Sequence, residues 1–108
     1  MTNNKRLLNE DGSAWVLFRP SGYPYKLRRQ LRDAKDDEAV LGLLLPYIVG
    51  IHLPTVDGME ITKLNVVDDL ADVDESISYQ LVIQFFEFRG ERNTSPVPKN
   101  SSLPSQST

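Results

Sequence analysis

The stretch SISYQLVIQFFEFRGERN, Ser76–Asn93, constrains this chain more than any other, because it holds three of the four phenylalanines. Ile77, Tyr79, Leu81, Ile83 and Phe85 alternate with Ser78, Gln80, Val82 and Gln84, which is the period of a strand. The same letters place Ile77, Leu81, Phe85 and Phe88 on one helical stripe, with Val82 and Phe86 widening it. Periodicity alone is nearly a tie, and the ends break it. Asp74 suits a helix N-cap and Glu75 adds negative charge to the first turn. Arg89 and Gly90 put a cation and a glycine where a helix stops. A strand needs neither. The expectation is a helix from about Glu75 to Arg89. Its apolar arc is wider than packing on one side requires, so part of it is expected to meet another chain. The candidate contact residues are Tyr79, Val82, Phe85, Phe86 and Phe88. The competing reading is that these rings are core, since aromatics dominate interiors as readily as interfaces.

Upstream, AWVLFRP, Ala14–Pro20, is rich in β-formers and reads as a short strand or extended segment anchoring Trp15 and Phe18. PSGYP is a turn. In YKLRRQLRDAK, Pro24 suits the first turn of a helix, and Leu27 and Leu31, with Tyr25 and Ala34, mark one apolar side. Asp36, Asp37 and Glu38 open a second helix, bearing Ala39, Val40, Leu43, Leu44, Tyr47 and Ile48, with a possible kink at Pro46. Apolar nearly all round, it is expected to be the most buried element. Two readings compete after it. The helix runs to about Leu53 with a loop beyond, which is preferred, or YIVGIHL and MEITKL form a hairpin about the Asp57-Gly58 turn. A short helical turn is expected around Val66–Ala71. The sum is a mainly α fold with a short N-terminal β or extended segment. Its expected divisions are a flexible N-terminus at 1–13, one helical domain at 14–92 and a disordered Ser- and Pro-rich tail at 93–108.

Composition narrows the function classes. A chain of 108 residues points to one domain, marginally stable alone and helped by oligomerisation or a partner. A net charge of -3 argues against broad nucleic-acid binding. The absence of cysteine excludes disulfides and thiol chemistry and fits a reducing cytoplasm. The opening residues carry no apolar signal core, and the longest apolar run is broken by Gly42, Pro46 and Gly50, so no membrane span is expected.

Little in the chain resembles catalytic or metal chemistry. His52, the single histidine, lies between Ile51 and Leu53 and reads as structural or partly exposed. The acidic run Asp68, Asp69, Asp72, Asp74 and Glu75 lacks the glycine and the final spacing of a calcium loop and reads as helix-start charge. No phosphate-cradling or nucleophile-elbow glycine pattern occurs, and no cofactor, metal or enzymatic activity is expected. The most suggestive charge feature is basic: Arg19 and Lys26 with Arg28, Arg29 and Arg32. It is either a solvated helix face or a contact for phosphate, nucleic acid or, preferred for a molecule acidic as a whole, an acidic protein surface, and Arg28, Arg29 and Arg32 join the candidate contact residues.

In order, AWVLFRPSG, YKLRRQLRDA, AVLGLLLPYIVGIHL, the VDG turn, VVDDLADVDESI and YQLVIQFFEFRG resemble the layout of the tail assembly chaperones of long-tailed bacteriophages over about residues 14–92. Arg89-Gly90 departs from the Asn-Gly ending common there, and the last helix is unusually aromatic. The resemblance implies a non-catalytic protein of the infected cell's cytoplasm, absent from the mature virion. It would bind the tape measure protein and help recruit tail tube subunits, with homo-oligomers possible. It also implies a longer form made by ribosomal frameshifting, for which the codons of Val97-Pro98-Lys99 are the candidate site. The alternative is a structural virion protein, a head–tail connector or tail completion subunit.

Overall fold

A computed structural model describes residues 5–93. The short strand β1 (Arg6–Leu7) pairs antiparallel with β2 (Trp15–Phe18), setting Arg6 opposite Val16 and Leu7 opposite Trp15. After β2 come the helices α1 (Tyr25–Asp33) and α2 (Asp37–Leu44). The chain then returns as β3 (Ile48–Pro54), antiparallel to β2, and turns into β4 (Glu60–Ile61). The four-stranded sheet therefore runs β1-β2-β3-β4, and the long helix α3 (Glu75–Asn93) follows it. This mixed α/β architecture corrects the mainly α expectation.

The error has a local cause. The apolar run after Asp36 looks like one helix, but Pro46 cannot donate to a continuing helical ladder. α2 ends at Leu44, Pro46 sits in a 3-10 turn at Leu45–Tyr47, and the chain is extended from Ile48. Ile48, Val49 and Ile51 are β-branched and suit that geometry. The last part of the helix expected to reach Leu53 is thus a strand, and the hairpin alternative is the one formed. Its turn closes through Thr55 N–H to Met59 O at 2.9 Å and Gly58 N–H to Thr55 O at 3.1 Å. Gly58 sits at φ +90, a conformation glycine adopts without a Cβ clash.

Alternation along the strands sends Val16 and Phe18 of β2, with Ile51 and Leu53 of β3, into one core. α3 closes that core: Leu81 and Phe85 are fully buried, and Phe18 meets Phe85 edge-on with centroids 5.2 Å apart. α1 adds Leu27 and Leu31, and α2 adds Val40, Leu41 and Leu44. Tyr25, placed by spacing on the apolar side of α1, is instead exposed. Tyr23, just ahead of that helix, takes the inward role and stacks on Tyr47 at 4.7 Å.

Residues 5–13, which composition marks as loose, carry β1 and the turn that follows. Leu8 is buried, its N–H donates to Ala14 O at 2.8 Å, and Asn9 Oδ1 accepts from Ala14 N–H at 3.1 Å. At the other end the cap of α3 is the expected one, with Asp74 Oδ1 accepting from Ser76 N–H at 2.8 Å and from Ser76 Oγ–H at 2.7 Å. The expected stop at Arg89-Gly90 is wrong, since α3 continues to Asn93. An interior glycine costs about 1 kcal/mol of helix propensity. Here the extra turn gains a tertiary partner, because Arg6 holds Glu91. The expected disordered tail, beyond Asn93, lies outside the described residues, as do Val97-Pro98-Lys99.

Candidate functional site

α3 presents two sides. The stripe of Ile77, Leu81 and Phe85, with Val82, faces the sheet and the other helices and is buried. Phe88 is half-buried against the same core, 5.4 Å from the Phe18 ring and under the Arg6 guanidinium at 5.9 Å. Of the five expected contact residues on this helix, Val82 and Phe85 are therefore core, Phe85 for the reason aromatics usually are: it carries a large apolar area. Tyr79, 55% exposed, and Phe86, 41% exposed, remain open on the other side. Arg28, Arg29 and Arg32 are exposed on α1, a different element. Arg29 lies over the Tyr25 ring at 5.9 Å, and Arg32 reaches Asp33 at 3.4 Å.

Tyr79 stands between two recesses. One, of about 420 Å³, lies between the starts of α2 and α3 and is lined by Asp37, Leu41, Glu75, Ser76, Ser78 and Tyr79. The other, of about 520 Å³, lies between the β1–β2 turn and α3, with Leu7 and Leu8 on one side and Tyr79 and Gln80 on the other. Ser76 and Tyr79 line both, so the recesses meet there. Leu41 and Leu8 are buried and make the floors, while Leu7 is 55% exposed at the lip. Leu7 carries no helical or strand-period signal and was not legible as a surface residue.

The sheet supplies a second apolar surface. Trp15 and Leu17 point away from Val16 and Phe18 by strand alternation and are only half-buried. They flank Gly50 of β3 at contact distance: a Cβ placed there would lie 3.4 Å from Leu17 Cβ and 3.5 Å from Trp15 Cζ3. The Lys5 ammonium sits 4.3 Å above the indole. The signal for this surface is present in WVLF, where four consecutive apolar residues in a strand must make both faces greasy.

His52 lies on the same face. Its ring stacks beside Trp15, with Nδ1 2.6 Å from Ser13 O and Nε2 3.4 Å from a Glu60 carboxylate oxygen. A carbonyl only accepts, so Nδ1 carries a proton and donates. The histidine thereby ties the β1–β2 turn to β3. Among the described residues no three His, Asp or Glu side chains are arranged to hold a metal ion. Nor is any described helix long and apolar enough to cross a membrane.

No family model, no curated protein and no solved structure matches the chain.

Proposed function

We propose that this protein is a non-catalytic binding module, a tail assembly chaperone of a long-tailed bacteriophage, which covers apolar helices of a tape measure protein and helps bring tail tube subunits to it. It would act in the cytoplasm of the infected cell and be left out of the finished virion. The observation that carries the reading is the apolar surface left open on a small domain: Tyr79 and Leu7 exposed beside α3, with the half-buried Trp15 and Leu17 on the sheet. Open apolar side chains grouped beside recesses are what a client's amphipathic helix needs. The resemblance of sequence layout described above adds to the reading, with AVLGLLLPYIVGIHL being a helix followed by a strand.

The test is co-expression with the tape measure protein of the same genome. The soluble fraction of that client and its co-purification with the chain are the readouts. The expected result is that the chain keeps the client soluble, and that Tyr79→Ser combined with Leu17→Ser removes the effect without unfolding the chain. Mass spectrometry of purified particles separates the alternative. Stoichiometric presence in mature virions would replace the chaperone reading with that of a connector or completion subunit.

A further inference from the structure

The two recesses that meet at Tyr79 form one docking surface, and we propose that its occupant is an amphipathic helix of a partner protein that carries Lys or Arg beside its apolar stripe. The inference rests on the binding-module reading and adds the chemistry of the segment bound.

Shape and polarity come first. Tyr79 and Leu7 stand exposed over floors made by Leu41 and Leu8, so an apolar stripe has side chains to bury on both sides of the Tyr79 ring. The rim is acidic: Asp37 and Glu75 line one recess and Glu10 the other, and among the described residues no Lys or Arg lines either. Two helix N-termini also open there, each equivalent to roughly half a positive charge. Asp36 and Asp74 spend their carboxylates as caps, on Ala39 N–H at 2.9 Å and on Ser76. Glu10, Asp37 and Glu75 remain on the rim, and their charge exceeds the roughly one unit from the two helix ends. The surface therefore has a negative field around an apolar centre. Rim charges of this kind set partner choice and encounter rate, while the apolar centre holds the complex.

A second copy of the chain is the obvious rival, because α1 offers Lys26, Arg28, Arg29 and Arg32. Its apolar residues argue otherwise. Leu27 and Leu31 are already buried in its own core, which leaves only Tyr25 to fill two recesses.

The experiment titrates the full chain with a leucine–lysine helical peptide, leucines on one stripe, and with a twin in which glutamate replaces each lysine. Amide NMR shifts locate binding, and affinities are measured at low and high salt. The expected result is tighter binding of the lysine peptide by at least about tenfold at low salt, narrowing as salt screens the rim. Shifts should centre on residues 7–10, 37–41 and 75–80. Tyr79→Ser should weaken the lysine peptide several-fold at an unchanged unfolding midpoint, whereas Leu17→Ser on the sheet face should not. Equal binding of the glutamate twin overturns the charge preference and leaves the binding-module reading standing. Binding of neither peptide, or shifts centred on Trp15 and Leu17, overturns the docking surface. Concentration-dependent shifts of the Tyr79 region without peptide assign the site to a second copy and overturn the proposal. Failure of the binding-module reading itself is read separately, in the client co-purification.

Discussion

Arg6 forks onto Glu91, its Nη1 and Nη2 3.0 and 2.8 Å from the two carboxylate oxygens, joining the first strand to the last turns of α3. Its Nε also donates to Gln84 Oε1 at 3.0 Å, so one side chain grips two turns of the helix. The planar guanidinium makes these contacts together, which an ammonium cannot. Arg6→Ala is expected to release β1 from α3: hydrogen exchange at Arg6–Leu8 and at the α3 end should quicken more than exchange at Leu81–Phe85. Arg6→Lys should restore only part of the protection. Uniform quickening across the domain would show that the clasp supports global stability alone.

Adjacent phenylalanines are expected to behave oppositely. Phe85 is 0% exposed and packed on Phe18, so Phe85→Ala should cost about 3–5 kcal/mol. That is a large part of the roughly 5–15 kcal/mol that holds an ordinary domain together. Phe86 is open, and Phe86→Ser should cost less than about 1 kcal/mol. Urea denaturation of the two variants decides, and comparable losses would mean that Phe86 is core.

Two glycines should respond to alanine with opposite sign. The Cβ of Gly50→Ala meets Leu17 and Trp15 at ordinary contact distances, in a strand conformation any residue adopts. Loss of unfolded-state freedom should then stabilise by about 0.4–1 kcal/mol. Gly58→Ala has open space around it but a φ of +90, which should cost about 1 kcal/mol or more. Thermal unfolding of both variants is the measurement.

Acid should destabilise this protein through four named carboxylates. Asp11 is held below the usual carboxylate range by the Ser13 backbone N–H and then its hydroxyl, and Asp69 by the N–H groups of Asn65 and Val66. Asp74 is lowered by the Ser76 hydroxyl and then its N–H, and Glu91 by its hydrogen bond from Arg6. Each group binds a proton less readily folded than unfolded. The stability each contributes is present above the unfolded carboxylate values and lost as pH falls through the lower folded ones. The unfolding midpoint should thus be flat above about pH 5 and fall steadily below about pH 4. Asp74→Asn and Asp69→Asn should each flatten the acid limb.

Short-range chemistry made several elements legible. Asp74 and Glu75 announce the start of α3, Pro24 and the leucine pair announce α1, Asp36 announces α2, and Asp57-Gly58 announces a tight turn. Each is a signal carried within a few residues, by a cap, a fixed φ or a missing Cβ. The inward stripe of α3 was also legible, but not which aromatics would stay outside it. Tyr79 and Phe86 differ from Phe85 only in where the rest of the molecule lies.

Local sequence alone determined three helix starts, one tight turn and an apolar surplus, because capping, backbone sterics and hydrophobicity act between near neighbours. Tertiary structure decided that Ile48–Pro54 is a strand, that Arg6 is an anchor, and that the recesses open at Tyr79. Those outcomes depend on pairing β3 with β2 and on a contact between opposite ends of the domain. No window of neighbouring residues contains the partner that makes either one favourable.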